Sequence, residues 1–256
     1  ELLAKMAQML KVMEEAAAYG LTGVRSHSGL TGGSALKLQN AAAQPGFNKL
    51  LGALATDVVT YALAVSECNA AMGRIVAAPT AGAAGVLPGV LLALKKHCNL
   101  TEEQLARALV VAGQIGLVIA ARASLAGAVG GCQAECGSAA AMAAGAAVDA
   151  LGGTPAQAGT AVSIVFKNML GLVCDPVAGL VEVPCIKRNG GAAVQALLAA
   201  EMALAGIGSF IPADEAIDAM KWVGDSMPCA LRETAGGGLA QTPTALAWAK
   251  AWFERE

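Results

Sequence analysis

Charge and aromatic rings are both scarce in this sequence. Asp, Glu, Lys and Arg make up 14% of its 256 residues and Phe, Trp and Tyr 4%, while 56% of the chain is hydrophobic. That is the reverse of the charge-rich, apolar-poor composition that keeps a segment disordered, so a buried core is expected, in one domain spanning residues 1–256. The 17 basic residues face 19 acidic ones with no dense Lys/Arg run, which leaves no electrostatic footprint for nucleic acid or for an anionic membrane surface. Histidine is nearly absent, at His27 and His97 alone. No charged n-region with an apolar h-region opens the chain, so no signal peptide is read. Glu1 begins directly in a helical pattern, and a true N-terminus further upstream is expected.

Long unbroken apolar runs are lacking too. The longest uncharged stretch, Ile75 to Leu94, has the length of a bilayer span but is interrupted by Pro79, Gly82, Gly85, Pro88 and Gly89. Arg107, Arg122, Asp149, Lys167 and Glu201 cut the others short. No membrane partner is expected, and the abundance of Ala points instead to close helix packing. Seven scattered cysteines, an odd number in a chain this long, argue against a disulfide framework and for a reducing cytoplasm.

What the chain does have is helical spacing. Leu3, Met6, Leu10, Met13 and Ala17 share one face, with Gly20 placed to stop that helix. A second periodic stretch runs from Phe47 to Met72. The segment Ala77 to Gly85 breaks the pattern, and a helix resumes after Pro88. Thr101 with Gln104 forms a capping-box pattern ahead of a helix running to Arg122. Thr154-Pro155 and Thr242-Pro243 each read as an N-cap followed by proline at the first helical position. The best strand candidate is Val181-Glu182-Val183. Together these signals predict an all-α domain of roughly eight to ten helices. Glycine-rich loops at Gly127 to Gly137, Gly152-Gly153, Gly190-Gly191 and Gly236 to Gly238 have no fixed period, so no solenoid is expected.

Two of the loops combine glycine or proline with cysteine. Cys132 lies in Gly130-Gly131-Cys132-Gln133-Ala134-Glu135-Cys136-Gly137, while Cys174 and Cys185 bracket the segment from Asp175 to Pro184. Neither the separation of 42 positions between Cys132 and Cys174 nor that of 11 between Cys174 and Cys185 suits a zinc ribbon, and Cys132 with Cys136 lacks a second close pair. Irregular backbone of this kind wraps round a bulky inorganic centre and donates N–H groups to its sulfides. Taken one at a time, each cysteine is better explained as a buried small hydrophobe.

The blocks Gly130 to Glu135, Lys167-Asn168-Met169-Leu170-Gly171-Leu172-Val173-Cys174 through Cys185, and Lys187-Arg188-Asn189 resemble the iron-sulfur-dependent L-serine dehydratases, specifically their α chain. Ser28-Gly29-Leu30-Thr31-Gly32-Gly33, Asn69 to Gly73, Pro79-Thr80-Ala81-Gly82, Leu231-Arg232-Glu233-Thr234 and Thr242-Pro243-Thr244 extend the resemblance over almost the whole chain. It implies that Cys132, Cys174 and Cys185 hold a 4Fe-4S cluster whose fourth iron is left for L-serine, which is converted to pyruvate and ammonia. Hydroxide is a poor leaving group, and an open iron acting as a Lewis acid on the serine hydroxyl would stabilise the developing charge. Cys136 lies outside the family pattern. Cys68, Cys98 and Cys229 belong to no ligand block.

The substrate carboxylate needs donors, and Ser26, Ser28, Thr31, Gly32 and Gly33 form one candidate nest, with Thr80 and Gly82 another. Capping and turn formation explain the same residues equally well. Lys167, Lys187 and Arg188 flank the cysteines and are placed to steady an anionic centre, or to lie in solvent, and Asn168 could reach a cluster sulfide. For a general base the sequence offers little: His97 follows Lys95-Lys96 at a helix end, where histidine complements the dipole, and His27 is a weak candidate. The resemblance implies a β part supplied by another chain, which would carry the base, and an oligomer. A pyridoxal-phosphate dehydratase is disfavoured by the missing α/β alternation. An iron-sulfur lyase acting on cysteine or another β-substituted amino acid, and a helical subunit without catalysis, remain alternatives.

Overall fold

Two of the expected helix starts are built as their residues dictate. Thr101 Oγ1 accepts from the Gln104 N–H at 3.2 Å while the Thr101 N–H donates to Gln104 Oε1 at 2.9 Å, and Thr154 with Gln157 repeats the arrangement. At Thr242 the proline start is present but the hydroxyl turns back to the Leu239 carbonyl. The computed structural model describes residues 1–254, which form eleven α-helices: α1 (Leu2–Gly20), α2 (Ser34–Ala43), α3 (Gly52–Ala70), α4 (Val86–Cys98), α5 (Glu102–Arg122), α6 (Gly127–Gly130), α7 (Ser138–Ala150), α8 (Pro155–Met169), α9 (Cys185–Leu204), α10 (Ala213–Ser226) and α11 (Pro243–Phe253). The all-α expectation holds. The count exceeds eight to ten because short pieces such as the single turn α6 carry too little periodicity to be read from sequence.

Helix α7 is buried on every side, and all its residues except Asp149 are inaccessible. It is surrounded by α4, α5, α8 and α9. A helix buried all round belongs at the centre of a bundle, and in this one most of the residues are Ala or Gly, so its neighbours approach closely. Helix α3 is a second axis, packed by α1, α2, α4 and α9. Gly20 does not stop α1 by a left-handed cap. It is the last helical residue, and a Cβ there would lie 1.9 Å from the Ala64 carbonyl oxygen of α3, so glycine is required by the crossing.

Val181-Glu182-Val183 is not a strand. Among the described residues the only ladder elements are two isolated bridges, Arg25 with Gly32 and Cys174 with Arg232. Glu182 is instead turned inward within a tight strap leading to Pro184. Helix α4 begins at Val86, so Pro88 falls inside its first turn, where a missing N–H costs nothing. Helix α5 is the one described helix long and apolar enough to cross a bilayer. Its Arg107 and Arg122 pair with Asp149 of α7 and Asp218 of α10, and its buried face packs on α7 and α1.

Candidate functional site

Cys132 sits at a break between two helical pieces. Gly131 precedes it with φ +74, and a Cβ there would meet the Met227 sulfur at 2.8 Å and the Leu172 carbonyl at 2.9 Å. After Cys132 the chain widens into a π-helical turn, Gln133–Gly137, before tightening into α7, a distortion that often marks functional positions. The glycine-rich stretch read as a loop is therefore mostly helical. Gln133, fully buried, fastens the turn: its N–H donates to the Leu172 carbonyl at 3.0 Å, its Oε1 accepts from the Gly171 N–H at 2.9 Å, and its Nε2 donates to the Met220 carbonyl at 2.9 Å.

Cys174 is held in extended backbone beside the later segment Leu231–Glu233. Its N–H donates to the Leu231 carbonyl at 2.8 Å and its carbonyl accepts from the Glu233 N–H at 2.7 Å. Cys185 is the first residue of α9. One turn on, Asn189 accepts from the Gly85 N–H at 3.0 Å and donates to the carbonyls of Cys185 and Gly82 at 2.9 and 2.8 Å. The Thr80–Gly82 loop is thereby fixed against the start of α9.

These three segments bring Cys132, Cys174 and Cys185 together as buried free thiols. Burial pushes the Cys185 thiol up to about 12, with Cys132 as the next cause, and burial followed by Cys132 raises Cys174 further. A thiolate at Cys132 thus works against ionisation of the other two. Cys132 is lowered, first by a hydrogen bond from the Cys136 thiol and then, against the cost of burial, by the Arg188 guanidinium. Cys136 rises as the proton-holding partner. Among the described residues no three Cys, His, Asp or Glu side chains converge tightly enough for a single metal ion. A cubane several ångströms across holds its thiolates further apart than one ion does.

Carboxylates complete the pocket. A Cβ on Gly127 would lie 3.0 Å from Cys174 Sγ, 3.1 Å from Glu233 Oε2 and 3.5 Å from Glu135 Oε2, and one on Gly82 would lie 2.6 Å from Glu135 Oε1. Only glycine leaves this space open. Glu135 accepts the Thr80 hydroxyl hydrogen bond, yet burial and Glu233 hold its carboxyl above the usual range. In the sequence, Glu135 and Glu233 stand out only as members of the family blocks. Nothing in their spacing signals that they meet.

The Ser26–Gly33 loop is engaged by the chain's own carboxylate. Ser28 Oγ donates to Glu182 Oε1 at 2.8 Å and Thr31 Oγ1 to Glu182 Oε2 at 2.7 Å, while Ser26 bonds Thr31 and Ser28 within the loop. Gly32 lines a cavity of about 260 Å³ with Arg25, Lys37, Glu182 and Lys187, and Gly33 leads into α2 with φ +72. The loop therefore orients the strap that ends at Cys185. Lys167 donates to the Ser209 hydroxyl and Asn168 to Gln195, both at the surface. His27 packs edge-on against Trp252 with centroids 6.2 Å apart, and His97 bonds Asp57 at 2.6 Å. Of the flanking cations, Arg188 alone bears on the thiols.

Comparison with known proteins identifies the family of the chain. A family model described as the serine dehydratase alpha chain matches residues 1–240. The chain is 58% identical over 244 residues to a probable L-serine dehydratase, alpha chain, of Bacillus subtilis, covering 95% of this chain and 81% of that protein. It is 49% identical over 195 residues to the L-serine dehydratase, alpha chain, of Peptoniphilus asaccharolyticus, covering 76% and 67%. With the L-serine dehydratase of Streptomyces coelicolor it shares 50% identity over 191 residues, covering 73% of this chain but 42% of that longer one.

Proposed function

Since the chain belongs to the serine dehydratase alpha chain family, we propose that it converts L-serine to pyruvate and ammonia, with Cys132, Cys174 and Cys185 holding a 4Fe-4S cluster. The observation that carries this reading is that three buried free thiols from distant segments lie close enough for the charge of Cys132 to raise both Cys174 and Cys185, after burial. Thiols that disfavour one another's ionisation are stabilised as thiolates by a cationic inorganic centre. Held by these three thiolates, such a cluster would supply a Lewis acid for the serine hydroxyl.

The residues around the thiols suit the rest of serine. The carboxylates of Glu135 and Glu233, open on the Gly127 side, attract the substrate ammonium, and the Thr80 hydroxyl holds Glu135 in place. The Thr80–Gly82 loop, clamped by Asn189, is the nearer candidate for the substrate carboxylate. The Ser26–Gly33 loop, occupied by Glu182, acts at one remove through the strap before Cys185. His27 and His97 are committed to Trp252 and Asp57, which supports a general base contributed by a β chain.

Anaerobic reconstitution followed by iron and sulfide determination tests the cluster, and pyruvate release from L-serine, with and without a β chain, tests the reaction. Cys132→Ala, Cys174→Ala and Cys185→Ala are expected to lose iron and activity, whereas Cys68→Ala and Cys98→Ala retain iron. Full iron content in any of the first three overturns that ligand.

A further inference from the structure

We propose that Arg188 is a positioning residue that ties the start of α9, which carries Cys185, to both chain neighbours of Cys174 through one guanidinium, and so holds these two ligand-bearing segments in register for the cluster. The proposal rests on the reading that these cysteines are the ligands, and adds a residue that acts on them without being one.

Arg188 lies three positions after Cys185, one turn into α9, so the two share a helix face. From there its Nη1 donates to the Val173 carbonyl at 2.8 Å and pairs with Asp175 Oδ1 at 2.8 Å. Val173 and Asp175 are the immediate neighbours of Cys174. One side chain, anchored beside the third cysteine, therefore grips both flanks of the second. Its own partner is fixed in turn, because Asp175 is buried and its Oδ2 accepts from the Leu239 N–H at 2.7 Å.

Both contacts fall on Nη1, which lies one bond further from the backbone than a lysine Nζ, so a lysine carries the charge on a shorter, more flexible stem. The charge matters separately. A fixed cation beside a thiolate ligand favours the more negative, reduced form of a bound cluster, so its removal lowers the reduction potential. Geometry and charge are thus separable by substitution: R188K keeps the charge and loses the reach, and R188Q loses both.

The test uses the full chain after anaerobic loading with iron and sulfide. Iron loss to a chelator is timed and the cluster's reduction potential is measured for wild type, R188K and R188Q. Groups that orient metal ligands are typically worth about 10- to 100-fold in metal retention, and iron loss faster by that order is expected in both variants. The potential should fall in R188Q and stay near wild type in R188K, a distinction that a purely structural role would not produce. Wild-type potential and wild-type iron retention in R188Q would overturn the proposal. Should R188Q fail to fold, D175N frees the guanidinium without touching a cysteine, and iron loss no faster than wild type overturns it equally. A wild-type chain that takes up no iron or sulfide brings down the cluster reading itself, before any variant is compared.

Discussion

The Glu135 carboxyl sits where its charge is least welcome, desolvated and facing Glu233, with the Thr80 hydroxyl as its compensation. A carboxyl whose folded pKa exceeds its unfolded one favours the native state while protonated. Stability is then lost as pH rises from the unfolded value through the folded one. Glu135→Gln is accordingly expected to raise the thermal midpoint of the cluster-free chain at pH 7, by roughly 2–4 °C for each kcal/mol relieved, and to change it little near pH 3. An equal effect at both pH values would show that the gain is not electrostatic. Residues of this kind are the least legible from sequence. The cysteines stood out because glycine and proline flank them, whereas Glu135 and Glu233, 98 positions apart, are brought together only by the fold. Arg188 was visible as a cation near a cysteine, and its selection over Lys167 and Lys187 is decided by where α8 and α9 point their faces.

Helix contacts rest on absent side chains more than on large ones. At the α1–α3 crossing, Gly20→Ala would drive a methyl into the Ala64 carbonyl, and overpacking of this sort costs about 1–3 kcal/mol. Gly113 in the middle of α5 has nothing within 4 Å of its Cβ position, so Gly113→Ala should instead stabilise by about 0.5–1 kcal/mol. Urea midpoints compare the two directly, and like-signed shifts would refute the packing account. Capping boxes at Thr101 and Thr154 were legible because they are local. The strand expected at Val181–Val183 failed because a buried carboxylate with two hydroxyl donors, Ser28 and Thr31, outweighs β propensity over three residues. Gly20 was read as a stop signal since sequence does not show what lies across from a glycine.

Taken as a whole, the molecule gathers its thiols from the turn before α7, the extended segment before Asp175 and the start of α9, and Cys174 is backed by Leu231–Glu233. A group bound by all three stabilises the folded chain by mass action, because the unfolded chain cannot present the same set. Stripping the iron anaerobically is therefore expected to lower the thermal midpoint and to open residues 172–185 and 229–239 to protease, while α7 stays protected from amide exchange. Identical digestion of loaded and stripped protein would count against a shared centre. The all-α class was legible in periodicity and in the shortage of strand signals, but the meeting of residue 174 with residue 232 carries no local mark and had to be seen.

Helix α7 leaves the chain little room to drift. Its alanines are sealed on all sides by α4, α5, α8 and α9, so a larger residue has nowhere to go and a polar one no partner to find. Substitution of its alanines by larger side chains is expected to destabilise the fold, because the constraint there is volume, set by the neighbours that close over it.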